Sequence, residues 1–146
     1  MGKDADVYFE IGKMNSKKTD ADPGLEKDVP DWMETAANKA VKSKKGVTSK
    51  EPKDKKEGGY IFSGTLEKLT KEPKGSEAEM ACALNMVLLG WPKKNLLSAS
   101  ITQTARMNVS LDQNEKQLAK DAEFLVADAT TKITEKTIDY VLKNRP

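Results

Sequence analysis

Between residues 58 and 107 the apolar positions recur with a period of two, which predicts three consecutive strands. Gly58-Gly59 opens the first, Tyr60 to Leu66, and a polar loop from Lys71 to Glu77 follows it. The second runs from Met80 to Leu89. Met80, Cys82, Leu84, Met86 and Leu88 share one of its faces; Ala81, Ala83, Asn85, Val87 and Leu89 share the other. Both faces are largely apolar, so this strand is expected to be central and covered at least partly on each side. Gly90 to Asn95 reads as a turn, and Leu96 to Met107 as the third strand. There Leu97, Ala99 and Ile101 point one way, and Ser98, Ser100, Thr102 and Thr104 point the other, onto a wet face. The short connection makes the second and third strands an antiparallel hairpin.

Upstream, Val7, Phe9 and Ile11 alternate with Tyr8 and Glu10, the pattern of a half-buried strand. Gly12 to Asp28 is rich in turn residues and reads as a loop. A helix is expected from Val29-Pro30, capped by Asp28 and closing near Lys42 to Lys45. Trp32, Met33, Ala36, Ala37, Ala40 and Val41 give it one apolar face with small residues, suited to packing on a sheet. Residues 42–57 read as a lysine-rich, mobile linker with almost nothing to bury.

Downstream, Asp112 and Glu115 fit a capping box. Leu118, Ala122, Leu125, Val126, Ala129, Ile133, Thr137 and Val141 form a helical stripe after it. One helix over 112–143 would span roughly 45 Å at 1.5 Å per residue. The β-branched cluster Thr130 to Thr134 weakens its middle, where a kink is expected to fall if there is one. The pattern predicts a single α/β (α+β) domain over 1–146, in the order β-α-β-β-β-α. Its mixed or antiparallel sheet has about four strands, with the helices packed on the sheet.

Composition narrows the chemistry. The chain has no histidine, which removes the commonest general base, the commonest metal ligand and the histidine-dependent triads. Cys82 is the only cysteine, so an intrachain disulfide and a cysteine-rich zinc site are both ruled out. It alternates with apolar neighbours and reads as a small buried hydrophobe rather than a nucleophile. The carboxylate pairs Asp121 with Glu123 and Asp54 with Glu57 lie on polar segments, where little desolvation is available to tune them. Gly58-Gly59 precedes a strand rather than a helix, the wrong order for a phosphate cradle. Gly64 inside a strand marks a bulge or a close approach by a helix. The expectation is a protein that is not an enzyme, with no cofactor, no metal and no small-molecule substrate.

The charge balance points the same way. Lys and Arg total 25 and Asp and Glu 23, a net charge of +2 that supplies no strong field for nucleic acid. Residues 42–57 hold seven lysines and three acids with no aromatic among them, so a solvated segment is favoured over a base-stacking surface. The lysines leave peripheral contact with a membrane surface open, but the longest apolar run is too short to span one. No apolar leader follows Met1, so export is expected only if a signal peptide has already been removed.

What remains is contact with protein, either a partner or a second copy. The candidate residues are Trp91, Lys93 and Lys94 at the turn and Ser98, Ser100 and Thr102 on the third strand. Trp91 either folds back to seal the end of the core or stands exposed as an interface anchor. The third strand either lies at the sheet edge, where its backbone could pair with a partner strand, or is paired on both sides. No lysine guards it between Asn95 and Arg106.

The layout also resembles a group of bacterial envelope domains. The residues that carry the resemblance are Ile61-Phe62-Ser63-Gly64-Thr65-Leu66, the hairpin of Ala83 to Leu89, Gly90 to Asn95 and Leu97 to Ile101, and the spaced alanines Ala119, Ala122, Ala127 and Ala129 of the last helix. It is similar to the periplasmic domain of the curli-secretion lipoprotein, the lipoprotein activator of penicillin-binding proteins, and the N-terminal domain of TolB. The resemblance implies a non-catalytic protein-interaction module of the cell envelope, periplasmic in location. The alternative is a cytoplasmic or virion structural subunit that self-assembles through its sheet.

Overall fold

The computed structural model describes residues 6–17, 19, 23–54, 58–92 and 97–143, with only the backbone of Pro23, Leu97 and Ser98. Strand β1, Val7–Ser16, leads through a short 3-10 helix, Pro23–Lys27, to helix α1, Val29–Ser43. Strands β2, Val47–Thr48, β3, Gly59–Lys74, β4, Glu77–Trp91, and β5, Leu97–Val109, follow, and helix α2, Glu115–Lys143, closes the chain. The strands form one mixed sheet in the order β2-β1-β3-β4-β5. β1 is parallel to β2 and β3, with α1 as the crossover, while β3, β4 and β5 are antiparallel neighbours.

The expected class therefore holds, with corrections to its elements. The sheet has five strands, because Val47 and Thr48 pair with Val7 and Tyr8 inside the expected linker. Val47 is buried, so the segment has one apolar side chain to tie it down. β1 runs on to Ser16 through residues expected in a loop, with a register shift between Ile11 and Met14. β3 likewise absorbs most of the expected polar loop. Lys71 to Lys74 stay paired with β4, and the chain reverses at Gly75, whose φ of +66° suits glycine.

The helix ends also differ. Asp28 occupies the N-cap of α1 but makes no side-chain capping bond; its carbonyl accepts from Asp31 and Trp32 instead. At α2 the cap is Asn114, whose Oδ1 accepts from the Gln117 amide at 2.8 Å, not Asp112. The β-branched middle of α2 runs unbroken. Thr130, Thr134 and Thr137 are buried there, and each hydroxyl donates to the carbonyl four residues back at 2.6–2.7 Å. Those local bonds let hydroxyls enter the core without an orphaned donor.

Both helices cover one face of the sheet. Phe9, Phe62, Leu66, Leu69, Met80, Leu84, Met86 and Leu88 point up from the strands and meet Met33, Val126, Ile133 and Ile138 from the helices. Fully burying side chains of this size contributes about 1.5–3 kcal/mol each. Gly64 sits under Met86: a Cβ there would fall 2.2 Å from the Met86 sulfur and 2.9 Å from the Asn85 carbonyl oxygen. The close approach is thus from β4 rather than from a helix, and the β3 bulge lies at Glu67, where the register shifts between Leu66 and Lys68.

Candidate functional site

Among the described residues the other sheet face carries no helix, and its side chains follow from the register. Ser63 of β3, Val87 of β4 and Ser100 of β5 lie in one cross-strand row, and Thr65, Asn85 and Thr102 in the next. Neither row contains an ionisable side chain, although a third of the chain's residues are charged, 33%. Ser63, Thr65, Asn85 and Val87 are half-buried by their neighbours, whereas Ser100 and Thr102 are exposed. The Ser100 hydroxyl donates to Asn85 Oδ1 at 3.4 Å, a weak bond that leaves both groups able to meet water or a partner.

Charged side chains lie at the ends of this band. Toward the β3–β4 turn, Glu79 pairs with Arg106 and Lys74, each at 3.3 Å. At the opposite end an aromatic corner closes it: Tyr8, Ile61 and Trp91 are buried together, with Leu89 packed against them. The Tyr8 hydroxyl donates to Glu10 Oε1 at 2.7 Å.

Four of the six residues expected from sequence can be placed, Trp91, Ser100 and Thr102 in full and Ser98 by its backbone. Ser100 and Thr102 project from the open face, as expected, and Ala99 and Ile101 pack toward the core. β5 is also the last strand of the sheet, so its outer backbone edge has no strand partner among the described residues. Of the two readings of Trp91, the folded-back one describes the ring, which is only 9% exposed; it is the last residue of β4, not a turn tip. Lys93 and Lys94 lie outside the described residues, as does the side chain of Ser98. Sequence reasoning missed Ser63, Thr65, Asn85 and Val87 as parts of one surface with β5. The alternation Ser63-Gly64-Thr65 carried the signal, but only the register shows which strand it faces.

Cys82 is buried on the helix-covered face, and desolvation pushes its thiol up to about 11, against the direction that would activate a nucleophile. Among the described residues no cluster of three or more His, Cys, Asp or Glu could hold a metal ion. Asp121 accepts from Gln113, which in turn accepts from Lys71 at 2.7 Å, so these groups fasten the start of α2 to β3. Among the described residues no helix is long and apolar enough to cross a membrane.

No protein-family model and no curated relative matches the sequence. Solved structures do share the fold. A hypothetical protein of Chlamydia trachomatis matches with a TM-score of 0.65 at 6% identity, covering 96% of this chain and 100% of that one. A candidate lipoprotein of Caulobacter crescentus matches with a TM-score of 0.57 at 9% identity, covering 90% and 92%. A minor lipoprotein of Acinetobacter baumannii matches with a TM-score of 0.51 at 16% identity, covering 97% and 96%. At such identities the likeness is one of fold. It reaches bacterial lipoproteins, and it does not assign the chain to any of the three envelope families named from its layout.

Proposed function

We propose that the protein is a non-catalytic interaction module of the bacterial cell envelope, binding another protein through the open face of its sheet and the adjoining β5 edge. The observation that carries this reading is the charge-free band of Ser63, Thr65, Asn85, Val87, Ser100 and Thr102, which runs without interruption to an edge strand that has no lysine. Soluble sheets ordinarily blunt such an edge with charge, proline or a covering segment. Small hydroxyl and amide side chains cost little to order and can bond across an interface. Likeness in fold to two bacterial lipoproteins supports the envelope as the setting.

The reading takes in no catalysis, no cofactor, no small-molecule substrate and no nucleic acid. With a net charge of +2, a phosphate-led complex should be lost as salt rises to physiological levels. Peripheral contact of the lysine-rich segment with a membrane surface is compatible with it.

The second reading is a cytoplasmic or virion subunit in which the same edge pairs with a copy of itself. It is favoured by the antiparallel geometry of β4 and β5, which a second β5 could extend. Capture on the immobilised chain separates the two. The envelope module should retain a discrete protein from the envelope fraction of the source organism and none from the cytosol. Retention from the cytosol alone, or of its own copies alone at high salt, favours the subunit.

A further inference from the structure

The two helices run in the same direction across the sheet: Trp32 and Phe124 share a groove toward their first halves, and Lys44 pairs with Asp139 at 2.7 Å toward their ends. This parallel arrangement separates charge. The groove, about 350 Å³, has Trp32, Phe124 and Ala127 as apolar walls and Asp31, Glu123 and Asp128 as acids, against one cation, Lys39. Phe124 is 64% exposed there. Asp128 is bonded to Lys132 at 2.9 Å, but Asp31 and Glu123 have no ion-pair partner among the described residues.

The opposite end has the reverse character. Lys42 lies in the last turn of α1, and Lys45, Lys50 and Lys53 follow on the segment that β2 anchors. All four are exposed and have no ion-pair partner among the described residues; Glu51 lies between them and Asp54 follows them. Each cluster is complementary to the other, and no ion pair joins them among the described residues.

We propose that the helix groove of one copy takes the lysine-rich segment of a second copy, head to tail. The lysine ammonium groups meet Asp31 and Glu123, and their aliphatic stems cover the Phe124 and Trp32 rings. Such a contact uses two different patches, so every copy added leaves one groove and one lysine segment free, and assembly continues until a ring closes. The groove lies between the two helices, on the side of the sheet opposite the open face.

Charge reversal tests it. Sedimentation at low salt should give the wild type a mean mass above the 16.1 kDa of one chain, rising with concentration. Salt should return it to one chain, because the screening length falls from roughly 30 Å at 0.01 M to about 3 Å at 1 M. Asp31→Lys with Glu123→Lys makes both patches basic, and Lys45→Glu with Lys50→Glu and Lys53→Glu makes both acidic. Each variant alone should be monomeric, and the two mixed should assemble, since both kinds of contact are then restored. Helical circular dichroism checks that each variant is folded. If either does not fold, the salt and concentration dependence of the wild type decides. A wild type that is monomeric at low salt and high concentration overturns the proposal. So does a folded variant that assembles alone, or a folded mixture that stays monomeric beside an assembling wild type.

Discussion

Tyr8 and Trp91 stand edge to face, their ring centroids 4.8 Å apart and their planes at 72°. They join the start of β1 to the end of β4 across β3, on the sheet face that carries no helix. The corner ends the charge-free band and fixes the strands that display it.

Removing the indole should therefore loosen the whole display. Trp91→Ala deletes a buried aromatic and leaves Tyr8 and Ile61 facing a void, for a loss of about 3 kcal/mol. Urea unfolding measures it. A loss within error of zero would mean that the corner contributes nothing to the fold.

The same corner gives the protein a signature at high pH. Burial, then the Glu10 hydrogen bond and the charges of Glu10 and Glu51, push Tyr8 from 10.0 up to about 12. Between those values the unfolded chain has released the phenolic proton and the folded chain has kept it. Stability is then complete below pH 10 and falls as pH rises toward 12. Cys82, raised mainly by burial from 9.0 to about 11, adds a loss of the same sign that starts a unit lower. Tyr8→Phe should flatten the upper part of the decline in urea titrations run from pH 9 upward. An unchanged slope between pH 10 and 12 would contradict the assignment.

Cys82 gives an independent check on the helix-covered face. It is 3% exposed, and little thiolate is present at neutral pH. A thiol reagent should label it slowly in the native protein and quickly in denaturant. Fast native labelling would place the sulfur outside the core.

Gly64 should tolerate nothing larger. Gly64→Ala drives a methyl into the Met86 sulfur and the Asn85 carbonyl, and only the former can move away. The expected cost is about 1–3 kcal/mol, the range for overpacking a filled core. A neutral alanine variant would mean that β3 and β4 lie farther apart than described.

Much of this was legible in the sequence because periodicity reports which face of an element is buried. The alternation Met80, Cys82, Leu84, Met86, Leu88 marked the core face of β4, and Ser100 and Thr102 marked the wet face of β5. Strand ends were not legible. Lys71 to Lys74 look like a loop because they are charged and include Pro73, yet their backbones pair with β4. β2 was hidden for a related reason: one buried valine among lysines makes no period. The surface itself needed the register, since no pattern within one strand shows that Ser63, Val87 and Ser100 share a row. A linker that is half anchored should exchange its amides unevenly, with Thr48 slower than Glu51, Lys53 and Asp54. Uniform exchange from Val47 to Asp54 would remove β2 from the sheet.

The open face is the centre of this account, and Ser100→Lys with Thr102→Lys tests it most directly. Both side chains are exposed and point away from the core, so the melting temperature should stay within a few degrees of the wild type. Two ammonium groups would sit in the charge-free band beside the free edge, where a partner would have to desolvate them. Immobilised wild type and variant, exposed to the same envelope fraction, should differ: the protein held by the wild type should be lost from the folded variant. Equal retention by both would place the contact surface elsewhere on the molecule.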